Sequence, residues 1–275
     1  MDTAKRVYQA SDESSLQYFF ECWQSKDLFI ALAWRNFLIR YKQAVFGVLW
    51  AVIRPLILMG VFTFVFSHIA GMKSGSVPYP LFVLAAMLPW SFFSSAVLEG
   101  ANSLESNASL VTKIYCPRIL IPLSVVFVNF FDLVVAFFIF IFSFALLGME
   151  LTPRVLFLPA AVGLTLILVI GIVIWFSALN VEYRDFKYVV PFVVQCGLYA
   201  SPVGYSINEV PDRWIIIYSL NPMVGVIESF RFSLLGIGSP ALIFSVGCSL
   251  FVSLVIFFSG FYYFRSSEAK FADVI

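Results

Sequence analysis

Residues Asn102–Pro122 read NSLESNASLVTKIYCPRILIP, and their setting between two apolar runs decides how the chain folds. On a helical wheel of about 100° per residue, Asn102, Glu105, Ser106, Ser109, Thr112 and Lys113 fall on one side. Leu104, Ala108, Val111, Ile114 and Tyr115 fall on the other. The spacing predicts a short amphipathic helix over Asn102–Tyr115. Pro117 ends it, because proline lacks an N–H and disfavours the α conformation at Cys116. A helix of this kind between membrane-grade segments is suited to docking something from outside the bilayer.

Working outward, Leu81–Leu98 has no charge and Ile119–Leu147 has a single one, Asp132. Four more runs approach or exceed the roughly 20 apolar residues that cross about 30 Å of hydrocarbon. They are Ala44–Phe66, interrupted by Arg54-Pro55; Val155–Val181; the shorter Tyr188–Tyr205, with Pro191 and Pro202; and Pro240–Phe264. The 275 residues are 61% hydrophobic and 12% charged, far below the roughly 25% charge of globular domains. The expectation is an all-α integral membrane protein of six transmembrane helices. It is a single transmembrane domain over 1–275, with an N-terminal region 1–43, a bundle 44–264 and a tail 265–275.

Six spans put both termini on one side, and Lys/Arg distribution says which. Twelve basic residues fall in the segments sharing the side of the termini and four in the opposite segments. Both termini, and the Asn102–Tyr115 helix, are therefore expected in the cytoplasm, with the protein multi-pass in the membrane. The N-terminus lacks the pattern of a cleaved signal peptide. Cys22, Cys116, Cys196 and Cys248 are too scattered for a metal site and read as free thiols. No basic patch supports nucleic-acid binding.

Two stretches are neither spans nor plain loops. Ile30, Trp34, Phe37, Leu38 and Tyr41 share one helical side, with Arg35, Asn36, Arg40, Lys42 and Gln43 on another. This describes an interfacial helix against membrane lipid, marked by Trp34, Arg35, Arg40 and Tyr41; the competing reading is a small soluble cap. Ile207–Ser239 holds two apolar pieces broken at Asn221-Pro222. They fit re-entrant outer helices between spans five and six, with Glu228 and Arg231 spaced to neutralise each other; the competing reading is a long surface loop.

Arg54 and Asp132 are the main intramembrane charges and form a candidate polar pair. No GxxxxGK[ST] motif is present, so no cofactor site for a nucleoside triphosphate is expected. His68 is the only histidine and no acidic pair shares a membrane face, so the chain is not expected to be an enzyme. Aromatic rings crowd the spans, and rings stack on the apolar faces of sugars. Phe46, Trp50, Phe62, Phe127 and Phe131 are candidate channel aromatics.

Five ordered motifs carry a resemblance over nearly the whole chain: RYKQAVFGVLWAVIRPLILM (Arg40–Met59), LVTKIYCPRILIPLS (Leu110–Ser124), LNVEYRDFKYVVPF (Leu179–Phe192), SLNPMVGVIESFR (Ser219–Arg231) and FADVI (Phe271–Ile275). The chain resembles the membrane subunit of bacterial ABC exporters for cell-surface polysaccharides such as O-antigen, capsule and teichoic acid. The resemblance implies a type-2 ABC exporter permease, two copies forming a channel and each docking on a separate ATP-binding subunit that holds ATP and Mg. Lipid-linked polysaccharide is the implied substrate. Leu110, Lys113, Ile114, Tyr115, Pro117 and Arg118 would belong to the ATPase-coupling element, with Lys113 and Arg118 meeting acidic residues on the partner. Cys116 departs from the aromatic expected at its position. The alternatives are a type-2 exporter of lipids or drugs, a membrane-embedded glycan-processing enzyme, and a proton-coupled flippase using Asp132.

Overall fold

A computed structural model describes residues 15–42, 49–72, 75, 77–113, 116–149 and 152–271, and all regular structure among them is helical. Helices α1 (Ser15–Gln24) and α2 (Lys26–Tyr41) come first. Helix α3 (Leu49–Phe62) contains Pro55 and continues as a π-helical stretch, Thr63–Ile69. Then follow α4 (Tyr79–Ala101), α5 (Ser103–Ser106), α6 (Ala108–Lys113) and α7 (Leu120–Leu146). A 3-10 turn, Pro153–Phe157, opens α8 (Leu158–Glu182). The rest is α9 (Phe186–Ala200), α10 (Asp212–Ser219), α11 (Pro222–Leu235) and α12 (Leu242–Glu268).

Among the described residues, four stretches are long and apolar enough to cross a membrane: α4, α7, α8 with its 3-10 turn, and α12. The other two expected spans are shorter apolar helices among the described residues. Span five stops at Ala200 because Ser201 is extended before Pro202, as the pyrrolidine ring requires of its predecessor.

Helix α4 is the centre of the bundle and packs on α3, α7, α8, α9 and α11. Its apolar residues run all the way round, as in a helix enclosed by protein or lipid; 78% of its most apolar window is buried, against 17% for α12. The outward face of α12, including Phe251, Phe258 and Tyr262, is exposed. That exposure is no liability when the surrounding solvent is hydrocarbon.

Small residues set the close approaches. A Cβ on Gly171 of α8 would stand 2.7 Å from the Phe257 Cα of α12, and one on Gly260 would stand 2.7 Å from the Gly171 carbonyl oxygen. Membrane helices use such residues because packing, rather than expulsion of water, holds them together. Along the α11 side of α12, Ser245, Ser249 and Ser253 are buried, and the Gly225 N–H donates to the Ser249 hydroxyl at 3.0 Å. Helix α11 begins where the Asn221 side chain accepts from the Met223 N–H at 3.0 Å with Pro222 in the first turn, and it ends at Gly236, whose φ of 71° suits glycine.

The single helix expected over Asn102–Tyr115 is instead two short ones, α5 and α6, meeting at Asn107. The Asn102 and Asn107 amides donate back to the Leu98 and Ser103 carbonyls at 2.8 and 2.7 Å. Asparagine side chains compete with the helix ladder in this way, and here they break it twice.

Candidate coupling site

Helices α5 and α6 sit at the end of the bundle where α4 and α8 finish, α7 starts and α12 finishes. Leu104 and Val111 are buried in an apolar cluster with Tyr18, Leu32, Ile121, Ala178, Phe264 and Phe271. Leu110 packs at its edge, whereas Glu105, Ser106, Ser109 and Thr112 are exposed. The two sides of the wheel therefore survive the break in the helix: the cluster anchors one face and leaves a polar face free. Ile114 and Tyr115 lie outside the described residues, as does the Lys113 side chain.

Pro117 and Arg118 are half-buried. The Arg118 backbone N–H donates to Glu268 Oε1 at 2.9 Å, and its guanidinium donates to the Glu268 carbonyl oxygen. The Glu268 carboxylate thus meets the Arg118 backbone, while the guanidinium goes to a main-chain carbonyl. Cys116 is half-buried beside it, and burial raises its thiol pKa above the ordinary value.

Two further residues hold the segment in place, and a third contact joins the helices behind it. The Asn180 amide on α8 donates to the Ala101 carbonyl at 3.1 Å and to Asn102 Oδ1 at 3.3 Å. Lys187 on α9 forms an ion pair with Glu105 on α5. Tyr263 on α12 donates to Glu182 at the end of α8 at 2.5 Å.

Helix α2 lies against α7, and its basic side faces the bundle. Arg35 donates to Asn107 at 2.5 Å and the Asn36 amide to Ser124 at 3.0 Å. Arg40 donates to Asp132 at 2.5 Å and also binds Glu99, while the Asn129 amide donates to Glu99 at 3.0 Å. The Tyr41 hydroxyl donates to Asp132; burial and then that carboxylate push its pKa above the usual tyrosine range. The expected partner of Asp132 was Arg54. Its cation here is Arg40, and the Arg54 side chain lies outside the described residues.

Asn36, Arg40, Glu99, Ser103, Ser106 and Asn107 line a cleft of about 310 Å³ between α2 and the α4–α5 junction. On its other side α2 exposes Ile30 and Trp34, with Trp34 stacked on Phe37 at 5.6 Å.

The candidate channel aromatics among the described residues are not brought to one place. Phe127 meets Phe29 edge-on at 5.8 Å and Phe131 meets Phe37 at 5.2 Å, both beneath α2. Phe62 stacks on Phe66 at 5.5 Å, close to Gly204. Phe46 and the Trp50 side chain are outside the described residues. In the Asn221–Arg231 region, Arg231 is 1% exposed. It donates to the Val203 and Tyr205 carbonyls at 3.0 Å each, pairs with Glu228 at 3.4 Å and lies over the Phe82 ring at 3.6 Å. Asn221 also ties α11 to the end of α9 through the Ala200 carbonyl at 3.1 Å and Ser201 Oγ at 3.0 Å.

Glu99, Asn107 and Glu268 are central to this end of the bundle together with Asn129, the neighbour of Asp132 in span three. Visible signals existed for Glu99, an acid placed immediately after an uncharged span, and for Asn129, an amide inside an apolar run. Glu268 and Tyr18 are separated by 250 positions, so nothing local in the chain links them.

Comparison with known proteins agrees with this architecture. The ABC-2 type transporter family matches residues 27–235. An O-antigen export system permease protein, RfbA, of Klebsiella pneumoniae is 30% identical over 208 residues, covering 74% of this chain and 79% of the relative. An RfbA of Myxococcus xanthus is 28% identical over 213 residues, covering 77% and 81%. The polysialic acid transport protein KpsM of Escherichia coli is 24% identical over 249 residues, covering 86% and 92%. Membership of this family makes the chain a transport subunit that works with a separate ATP-binding subunit, and its apolar helices make it integral to a membrane. The chain belongs to the ABC-2 type transporter family.

Proposed function

We propose that this protein is the channel-forming subunit of an ATP-driven exporter that moves lipid-linked polysaccharide, O-antigen or a similar glycan, from the cytoplasmic to the outer face of a bacterial inner membrane. The observation that carries this reading is the alignment with polysaccharide-export permeases over most of both chains. Two copies form the channel and two ATP-binding subunits, holding ATP and Mg, drive it.

In this reading the whole chain, 1–275, is one transmembrane domain. The basic-residue count supports six spans with both termini cytoplasmic. The polar face of α5 and α6, with Leu110–Arg118, meets the ATP-binding subunit; its anchored apolar side and free polar side suit that role. Helix α2 lies at the cytoplasmic interface with Trp34 toward lipid. Helices α10 and α11 form the re-entrant outer pair, where Arg231 holds the turn before them against α4.

The test is export itself. Deleting the gene in its host is expected to remove surface polysaccharide and leave lipid-linked glycan inside the cell, and a plasmid copy is expected to restore it. Unchanged surface polysaccharide in the deletion strain, with altered lipid or drug efflux, rejects this reading in favour of a lipid or drug exporter.

A further inference from the structure

One carboxylate gathers three separate parts of the chain. Glu268 Oε1 accepts from the Tyr18 hydroxyl of α1 at 3.0 Å and from the Arg118 backbone N–H at 2.9 Å. Its Oε2 accepts from Arg265 at 3.1 Å. The Arg118 guanidinium returns to the Glu268 carbonyl oxygen, and the Arg265 guanidinium covers the Tyr18 ring at 3.7 Å. Directly beneath, Phe264 and Phe271 are buried edge to face at 5.3 Å, in the cluster that also holds Leu104 and Val111.

Local helix energetics do not call for an acid at this position. Glu268 is the last residue of α12, where the negative end of the helix dipole disfavours a carboxylate. Orphan carbonyls at a helix end need donors, and Arg118 supplies one from 150 positions away. The clasp between Arg118 and Glu268 has two points, each residue using one backbone and one side-chain group. Two contacts of this kind resist rotation about the clasp as well as separation.

We infer that Glu268 is a positioning residue for energy coupling: it latches the Pro117-Arg118 link behind α6 to the end of α12, so that the two move as one body. This rests on the reading of α5 and α6 as the element that meets the ATP-binding subunit. Without the latch, a load on α6 reaches the bundle through the chain into α7, the ties of α5 and the apolar packing around Val111, none of which is a directional bond to the end of α12. With it, the load also enters α12, whose backbone touches α8 at Gly171 and Gly260 and which packs on α11. The decisive measurement is functional.

The experiment uses the full permease with its ATP-binding subunit, in a strain lacking the chromosomal copy. Surface polysaccharide is measured per assembled complex, and ATP hydrolysis is measured on the purified complex. Glu268→Ala is expected to cut export per ATP hydrolysed at least tenfold while the ATP-binding subunit still co-purifies. Glu268→Gln keeps an acceptor for Tyr18 and Arg118 and is expected to restore at least half of the wild-type ratio. Tyr18→Phe removes one donor and keeps the ring beneath Arg265; it is expected to lower the ratio two- to fivefold, and it serves where Glu268→Ala does not accumulate. An export-to-hydrolysis ratio equal to wild type in Tyr18→Phe and in whichever Glu268 variants assemble overturns the latch. So does a loss of export that only tracks loss of assembled complex. If the wild-type permease itself binds no ATP-binding subunit, the transporter reading fails, which is a different result from failure of the latch.

Discussion

At the scale of single residues, the carboxylates of Glu99, Glu105, Asp132, Glu182 and Glu268 at this end of the bundle each meet a donor. Arg40 joins Glu99 and Asp132, and Asn129 bridges to the same Glu99. Replacing Arg40 by Met keeps most of the side chain's length and leaves two acids facing each other. The pairs are partly open to solvent, so the expected loss is about 1–3 kcal/mol, below that for fully buried pairs. A fall in melting temperature of the detergent-solubilised protein, larger than that of Asp132→Asn, checks it. Cys22 offers a pH test. Burial, then Glu268, pushes its thiol from 9.0 up to about 12. Maleimide at pH 8 is expected to label it at least about tenfold more slowly than free cysteine, since only the thiolate attacks. The sign for stability follows from the folded value lying above the unfolded one: the contribution is full below about pH 9 and is lost as pH rises toward 12. Asp132 stood out in the sequence as a lone charge in an apolar run, but its partner did not, because Arg40 is 92 positions away and only packing of α2 on α7 joins them.

At the scale of elements, the α8–α12 seam depends on glycine where two backbones touch. Gly171→Ala places a methyl against the Phe257 backbone and is expected to cost about 1–3 kcal/mol. Gly163→Ala on the same helix meets nothing within 4 Å and is expected to be neutral or stabilising, because alanine is the better helix former. Thermal unfolding of the two variants side by side separates the clash from propensity; equal shifts would falsify the seam. The Asn107 break belongs to this scale as well. Asn107→Leu removes both the bond back to Ser103 and the partner of Arg35. It is expected to lower export severalfold without preventing membrane insertion, measured as surface polysaccharide per membrane-inserted permease. Apolar periodicity identified which faces of α5 and α6 are buried. It did not identify the break: Asn102 falls on the polar side of the wheel, and Asn107, which falls among the apolar positions, is a single exception that a continuous helix can carry.

At the scale of the whole molecule, the distribution of charge makes a topology prediction. Reporter fusions after residue 275 are expected to show cytoplasmic activity, and fusions after residues 75 and 150 activity on the outer side. Opposite results at 275 and 75 would reverse the inferred orientation, and with it the assignment of α5 and α6 to the cytoplasm. Among the described residues four helices meet the length needed to span, while the runs expected as spans one and five are shorter apolar helices containing Pro55 and Pro191. A chain with a central helix as enclosed as α4 and an outer one as open as α12 is built to have its perimeter completed by lipid or by another chain.

What the amino-acid order settled was hydropathy and periodicity: a helical membrane protein, an amphipathic segment between apolar runs, a helix start at Asn221-Pro222, and motifs specific enough to place the family. These are properties of neighbours in the chain, and neighbours interact whatever the rest of the fold does. Tertiary structure alone decided which distant polar groups meet. Arg40 with Asp132, Lys187 with Glu105, and Arg118 with Glu268 are each brought together by packing of helices far apart in the chain. A polar side chain in an apolar bundle takes whichever donor or acceptor packing brings within reach, and no spacing rule encodes that choice. The segment Asn102–Pro122 shows both contributions. Its buried and exposed faces follow from its own sequence, and its attachment to α12 exists only because the bundle closes around it.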